Sequence, residues 1–257
     1  MLIRFAMLAL LCALTLPTFT AQAEQLVLTN GEWPPYFSPN FEHDGPGSRI
    51  VTEAFADVGI DVEYAFMPWK RSLHAARAGD YDGAVAWRWS EEWAKDFLYS
   101  DPILWINSVF FHRKDVHIDW ETLDDLGHLR LGGTLGYSHE PYLQEAALRN
   151  GGSYEAAPTD ELNLQKLAEK RIDVFPCDYK AAQYLLKNKL PPEVGAILTF
   201  HPKIFLEGEL YLLISKKTPN GKEIVARFNK GLKKLKESGR YDQYLAEPPR
   251  KDSPRAP

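Results

Sequence analysis

Cysteine is nearly absent. Of the two in this 257-residue chain, Cys12 lies in an apolar N-terminal segment, which leaves Cys177 alone in the remainder and rules out an intrachain disulfide there. The fold must be carried by its own core, which this length can supply. Long apolar runs are equally scarce. After Ala23 nothing approaches the roughly 18 consecutive apolar residues of a membrane span, so no membrane insertion of the mature chain is expected. Excess positive charge is missing too, with 30 Lys+Arg against 35 Asp+Glu, a net charge of −5. Nucleic-acid binding relies on a basic stripe that displaces counterions, and this composition argues against it.

The two ends stand apart from the rest. Arg4, the apolar run Phe5 to Leu16 and Ala21-Gln22-Ala23 form a charged region, a hydrophobic region and a small-residue cleavage site. Residues 1–23 are therefore read as a cleaved secretory signal peptide. Leu11 precedes Cys12 where a lipid-attachment site has a small residue, which argues against a lipid anchor. Residues 248–257 show no apolar periodicity and are read as a disordered tail.

Between the ends, strands alternate with helices. Gln25 to Leu28 reads as a strand, Ile50, Val51, Ala54, Phe55 and Val58 recur at helical spacing, and Val62, Tyr64 and Phe66 alternate as a strand. A helix over Trp69 to Ala78 and a buried strand over Gly83 to Ala86 follow. This predicts an α/β lobe with a largely parallel sheet. Ile103 to Arg113 is a longer extended run, after which the alternation restarts. Leu129 to Leu131 reads as a strand, Gly132 to Gly136 as a loop and His139 to Arg149 as a helix. Next come a helix at Glu161 to Glu169, a strand at Asp173 to Phe175 and a helix at Tyr179 to Leu186. A second extended segment, Leu210 to Ser215, leads into a long helix with Thr218 as N-cap, Pro219 at its first position and Ile224, Phe228, Leu232 and Leu235 as its apolar face. The expected organisation is one discontinuous lobe of residues 24–112 plus 208–247 and a second of residues 113–207.

Motifs for catalysis are missing. None of the seven histidines forms the i, i+4 pair of a zinc protease, and there is no G-x-S-x-G elbow and no Walker loop. Cys177 reads as a buried structural thiol at a strand end, and Glu92, Asp96 and Asp101 as a solvated face. No enzyme activity, metal or cofactor is expected. Binding signals are present instead. Gly132-Gly133-Thr134-Leu135-Gly136-Tyr137-Ser138 joins a strand to a helix, where free N–H groups attract an anion. Ser138 is either a plain N-cap or also a ligand contact. Trp33 sits in a Pro-rich turn, and Trp87-Arg88-Trp89 follows a strand, where α/β sheets bind ligands. Trp33 and Trp69 are read as ligand contacts rather than core.

Several short segments, in order and spacing, carry a family resemblance. They are Thr29-Asn30-Gly31-Glu32-Trp33-Pro34-Pro35-Tyr36, Ala78-Gly79-Asp80-Tyr81-Asp82-Gly83, Phe97-Leu98-Tyr99-Ser100-Asp101-Pro102-Ile103, Arg171-Ile172-Asp173-Val174 and Gly239-Arg240-Tyr241-Asp242-Gln243-Tyr244-Leu245. From about Leu26 to Leu245 the chain resembles the family 3 periplasmic solute-binding proteins, receptors that deliver polar amino acids to ABC importers. The resemblance implies two Rossmann-like α/β lobes joined by two crossing strands, closing over a ligand. It also implies a periplasmic monomer whose partners are a small-molecule ligand and an ABC permease or a membrane sensor. Relatives that act as dehydratases stand as a further alternative.

By the same resemblance Trp33 and Trp69 stack on the ligand, Ser138 meets its carboxylate and Asp178 takes its ammonium. One position departs. Where amino-acid binders of the family carry a carboxylate-gripping arginine, this chain has Trp93. Arg88 either reaches the cleft in its place, beside Trp87, or lies on the surface across Trp87 or Trp89.

Overall fold

A computed structural model describes residues 24–250. The signal-peptide reading of residues 1–23, with Cys12, and the tail reading over 251–257 fall outside them.

The first half builds β1 (Glu24–Asn30), α1 (Pro46–Ala56), β2 (Ile60–Phe66), α2 (Trp69–Ala78) and β3 (Gly83–Trp87). β1 lies between β2 and β3 and parallel to both. α1 buries Ile50, Val51, Ala54 and Phe55, the positions that recur at helical spacing. Beyond a long strand, β4 (Phe97–Arg113), comes a short helix, α3 (Leu123–Leu126). The pattern then repeats with β5 (Arg130–Thr134), α4 (Glu140–Asn150), β6 (Ser153–Ala157), α5 (Asp160–Ala168) and β7 (Val174–Asp178). β5 lies between β6 and β7, again all parallel. α6 (Tyr179–Asn188) and α7 (Pro192–Ile197) lead into the second long strand, β8 (Leu198–Ser215).

β4 and β8 run antiparallel through the middle of one mixed sheet of order β2-β1-β3-β8-β4-β7-β5-β6. The C-terminal end of β8 pairs with β3, and the C-terminal end of β4 pairs with β7. Each long strand thus belongs to one α/β lobe at one end and to the other lobe at the other end. The fold is two α/β lobes joined by two crossing strands. The long helix α8 (Gly221–Glu237) buries Ile224, Phe228, Leu232 and Leu235. It packs on α1 of the first lobe, with the rings of Phe55 and Phe228 4.7 Å apart. α9 (Arg240–Ala246) lies beside it, and Arg49 of α1 sits 3.9 Å over the Tyr244 ring.

Several boundaries differ from the sequence reading, each for a local reason. β4 starts at Phe97 and β8 at Leu198, well before the apolar runs at Ile103 and Leu210. The extra length of β8 carries His201, Lys203, Glu207 and Glu209, and only pairing with β4 holds it extended. β6 was not expected, because Ser-Tyr-Glu-Ala-Ala lacks β-branched residues and is extended through its register with β5. Gly132 and Gly133 belong to β5 and not to a loop, since they pair in register with Glu155 and Ala156 of β6, and Ile172 and Tyr154 crowd the space a Cβ would take. α8 is entered through Asn220, not Thr218, whose hydroxyl donates instead to the Asp82 carbonyl (2.9 Å). The described start of the tail, 248–250, is irregular but engaged, since Glu42 N–H donates to the Arg250 carbonyl at 2.9 Å.

Candidate ligand-binding cleft

In parallel α/β sheets, ligands bind beyond the carboxyl ends of the strands. Here the ends of β1 and β3 in one lobe face the ends of β5 and β7 in the other. The cavity between them is walled by Trp33, Trp69, Trp87, Arg88 and Trp93 from the first lobe and by Tyr137, Ser138, His139, Cys177 and Asp178 from the second. Its volume is about 70 Å³.

Two buried carboxylates stitch the lobes together. Asp160, the first residue of α5, accepts from Thr134 Oγ1 (2.5 Å), Tyr137 OH (3.1 Å) and, across the cleft, Trp33 Nε1 (3.0 Å). Asp178 caps α6 by accepting from Ala181 N–H (2.9 Å), and also accepts from Asn107 N–H (3.2 Å) and from Tyr36 OH of the first lobe (3.1 Å). Burial pushes both carboxyls above the ordinary range against the pull of these donors. Burial beside the same two carboxylates drives the Tyr137 hydroxyl and the Cys177 thiol well above theirs.

The opposite wall is rich in donors. β3 carries one extra residue relative to β8 between Ala84 and Trp87, and Ala86 there has a left-handed backbone (φ 67°). Such a bulge re-aims the side chains that follow it. Trp87 and Arg88 both line the cavity. The three tryptophans of this wall meet edge to face, Trp69 on Trp87 at 5.7 Å and Trp87 on Trp93 at 5.2 Å. Arg88 Nη1 reaches the Glu207 carbonyl of β8 (3.3 Å). Burial draws the guanidinium pKa down while Asp178 draws it up. His139, buried against the rings of Tyr137 and Phe205 (each 5.6 Å), is held down to about 4, first by burial and then by Arg88.

The structure thus brings Trp33, Trp69, Trp87, Arg88, Ser138 and Asp178 to one cavity. Trp89 is 62% exposed. Of the two readings of Arg88, the geometry has the one that reaches the cleft. Ser138 does not cap α4; His139 holds the N-cap position, with no side-chain bond. The Gly-rich turn is also less open than its sequence implies. Leu135 N–H donates to the Ala157 carbonyl, Gly136 N–H to Glu140 Oε2 and Tyr137 N–H to the Thr134 carbonyl. The sequence reading does not single out Tyr137, His139 or Asp160. Tyr137 lies inside a segment already quoted, whereas His139 and Asp160 carry no local signal beyond a helix start.

The fold is shared with solved structures. A histidine kinase sensor domain with similarity to periplasmic binding proteins superposes with a TM-score of 0.75 at 18% identity, over 90% of this chain and 99% of that one. An ancestral arginine-binding protein bound to arginine gives 0.71 at 22% identity, over 86% and 96%. An ancestral amino acid-binding protein, a precursor of cyclohexadienyl dehydratase, gives 0.67 at 20% identity, over 85% and 93%. At these identities the likeness is one of fold. No curated protein matches the chain. The model of one family, however, matches residues 26–247, and the chain belongs to the bacterial extracellular solute-binding proteins, family 3.

Proposed function

We propose that the protein is a periplasmic receptor that captures a small amino acid or related zwitterion between its lobes and hands it to an ABC importer. The observation that carries this reading is a cavity between lobes with Arg88 and Asp178 both on its wall. A zwitterion offers a complement to each. Trp33 and Trp69 line the same cavity and supply apolar contact. Closure is favoured by the bonds from Trp33 to Asp160 and from Tyr36 to Asp178, which only an approached pair of lobes can make. Export by the N-terminal signal delivers the chain to the compartment where such a receptor works.

Binding is proposed without turnover. Burial raises the Cys177 thiol, and a histidine drawn down to about 4 is a weak base, which argues against these two as an activated nucleophile and its base. A second reading, a sensory ligand-binding module, is supported by the likeness to a histidine kinase sensor domain over 90% of the chain. Native mass spectrometry of freshly purified protein, followed by calorimetry with the released compound, tests the binding reading. A co-purified solute that binds one to one supports it, and a chain that binds no small molecule overturns it. Loss of uptake of that solute in a deletion strain separates transport from sensing.

A further inference from the structure

Three nitrogens on the cavity wall have no hydrogen-bond partner among the described residues: Trp87 Nε1, Arg88 Nη2 and His139 Nε2. Trp87 is 4% exposed and His139 7%, so neither side chain turns to bulk solvent. Buried polar groups in folded proteins are normally paired, and orphans gathered at one spot ask for a ligand. Indole and guanidinium nitrogens only donate, and the imidazole donates from Nε2 in one of its neutral tautomers. The matching group is therefore an acceptor with several lone pairs. Resting on the binding reading above, we propose that these three nitrogens hold the carboxylate of a monoanionic head group, with Trp87 and Arg88 reaching it from the first lobe and His139 from the second.

Two backbone features argue that this pocket is built for the guanidinium. Ala86 adopts its left-handed conformation at the bulge just before Trp87 and Arg88. Gly208 of β8 has φ 140°, and a Cβ there would lie 3.2 Å from Arg88 Nη1. A side chain there would be strained by that φ and would crowd Arg88 Nη1. With Nη1 tied to the Glu207 carbonyl, Nη2 is the arm left for the ligand. Trp93, at the position of the family's usual arginine, packs edge to face on Trp87 and keeps that indole in place. Asp178 lines the same cavity and disfavours a second negative charge on the ligand.

The test is calorimetry and thermal shift on the mature chain with glycine, L-alanine and lactate against alaninamide and lactamide, which keep the shape but lose the carboxylate. At least one carboxylate probe should bind, with its amide weaker by roughly a hundredfold, the ratio expected for losing a buried charged hydrogen bond. Arg88→Gln should lose a similar factor and Trp87→Phe about tenfold, both with unchanged circular dichroism, and Arg88→Lys should fall between wild type and Arg88→Gln. Alanine above lactate means that Asp178 also takes the ammonium, and lactate at least as tight means that it does not; the clamp stands in both cases. An amide that binds as well as its acid, or acid binding that survives Arg88→Gln, overturns the clamp. If that binding is still lost in Trp69→Ala, the cleft remains the site and only the clamp falls; if none of the probes binds, the clamp falls, and the cleft reading is decided by the co-purified solute.

Discussion

Trp33 Nε1 donates to Asp160 Oδ2 across 3.0 Å, joining the turn after β1 in one lobe to the first residue of α5 in the other. The bond spans 127 positions of sequence and can form only when the lobes meet. Trp33→Phe keeps an aromatic ring and removes the donor. A hydrogen bond to a charged group contributes about 1.5–3 kcal/mol, so ligand affinity should fall about tenfold to a hundredfold. Small-angle scattering should report a larger mean radius than wild type, and an unchanged radius and affinity would show that closure does not use this bond.

Trp69 lines the cavity and meets Trp87 in a T-shaped contact. Stacked aromatics contribute about 1 kcal/mol beyond area burial, to which the lost apolar contact adds. Trp69→Ala should weaken solute binding at least tenfold, read by calorimetry on a variant whose circular dichroism matches wild type. Unchanged affinity would assign the ring to the core alone.

Ala86 and Gly208 predict opposite responses to swapping alanine and glycine. A left-handed alanine costs roughly 1–2 kcal/mol, which glycine relieves while losing about 0.5–1 kcal/mol of unfolded-state entropy. Ala86→Gly should leave Tm unchanged or slightly raised. Gly208→Ala meets both the disfavoured φ and Arg88, and should cost about 1–3 kcal/mol with a matching fall in carboxylate affinity. Thermal melts of the two variants side by side decide this.

His139 should titrate near 4 rather than near 6.5, because burial first and Arg88 second oppose its protonation. NMR of the imidazole measures it directly. Occupation of the cavity by a carboxylate should move the value up, since the anion favours imidazolium. A histidine that titrates near 6.5 in the free protein would mean that the side chain lies outside the cavity.

Asp173 links the start of β5 to the end of β4. It accepts from Arg130 Nε (2.8 Å) and Nη2 (2.6 Å) and from Arg113 Nη2 (2.9 Å). These donors, Arg130 foremost, hold its carboxyl far below the usual range. A carboxyl depressed in the folded state contributes stability above its unfolded pKa, near 3.9, and loses it as pH falls through the folded value. In urea melts, the stability gap between wild type and Asp173→Asn should be constant above about pH 5 and shrink below about pH 4. A gap independent of pH would show that the carboxylate's charge is immaterial.

The first level of this organisation is written locally. Ile50, Val51, Ala54 and Phe55 recur at the helical period, Val62, Tyr64 and Phe66 alternate, and the alternation restarts after Arg113. Periodicity records which face of an element is buried, so the two α/β units and the strand ends that flank Trp33, Trp87 and Asp178 could be read directly. Pairing is not local. Nothing near Asp160 announces that it accepts from Trp33, or near Asp178 that it accepts from Tyr36 across 142 positions. The polar half of β8 had no pattern to read because its partner, β4, supplies its order. Arg88 shows the division most clearly. Its residue type and its place after a strand were visible, but two directions stayed open. In the fold it lines the cavity, just after the bulge at Ala86 and beside Gly208, and that setting exists only once β8 lies beside β3. A side chain's direction depends on backbone geometry and on the space that distant segments leave, and these exist only in the folded chain.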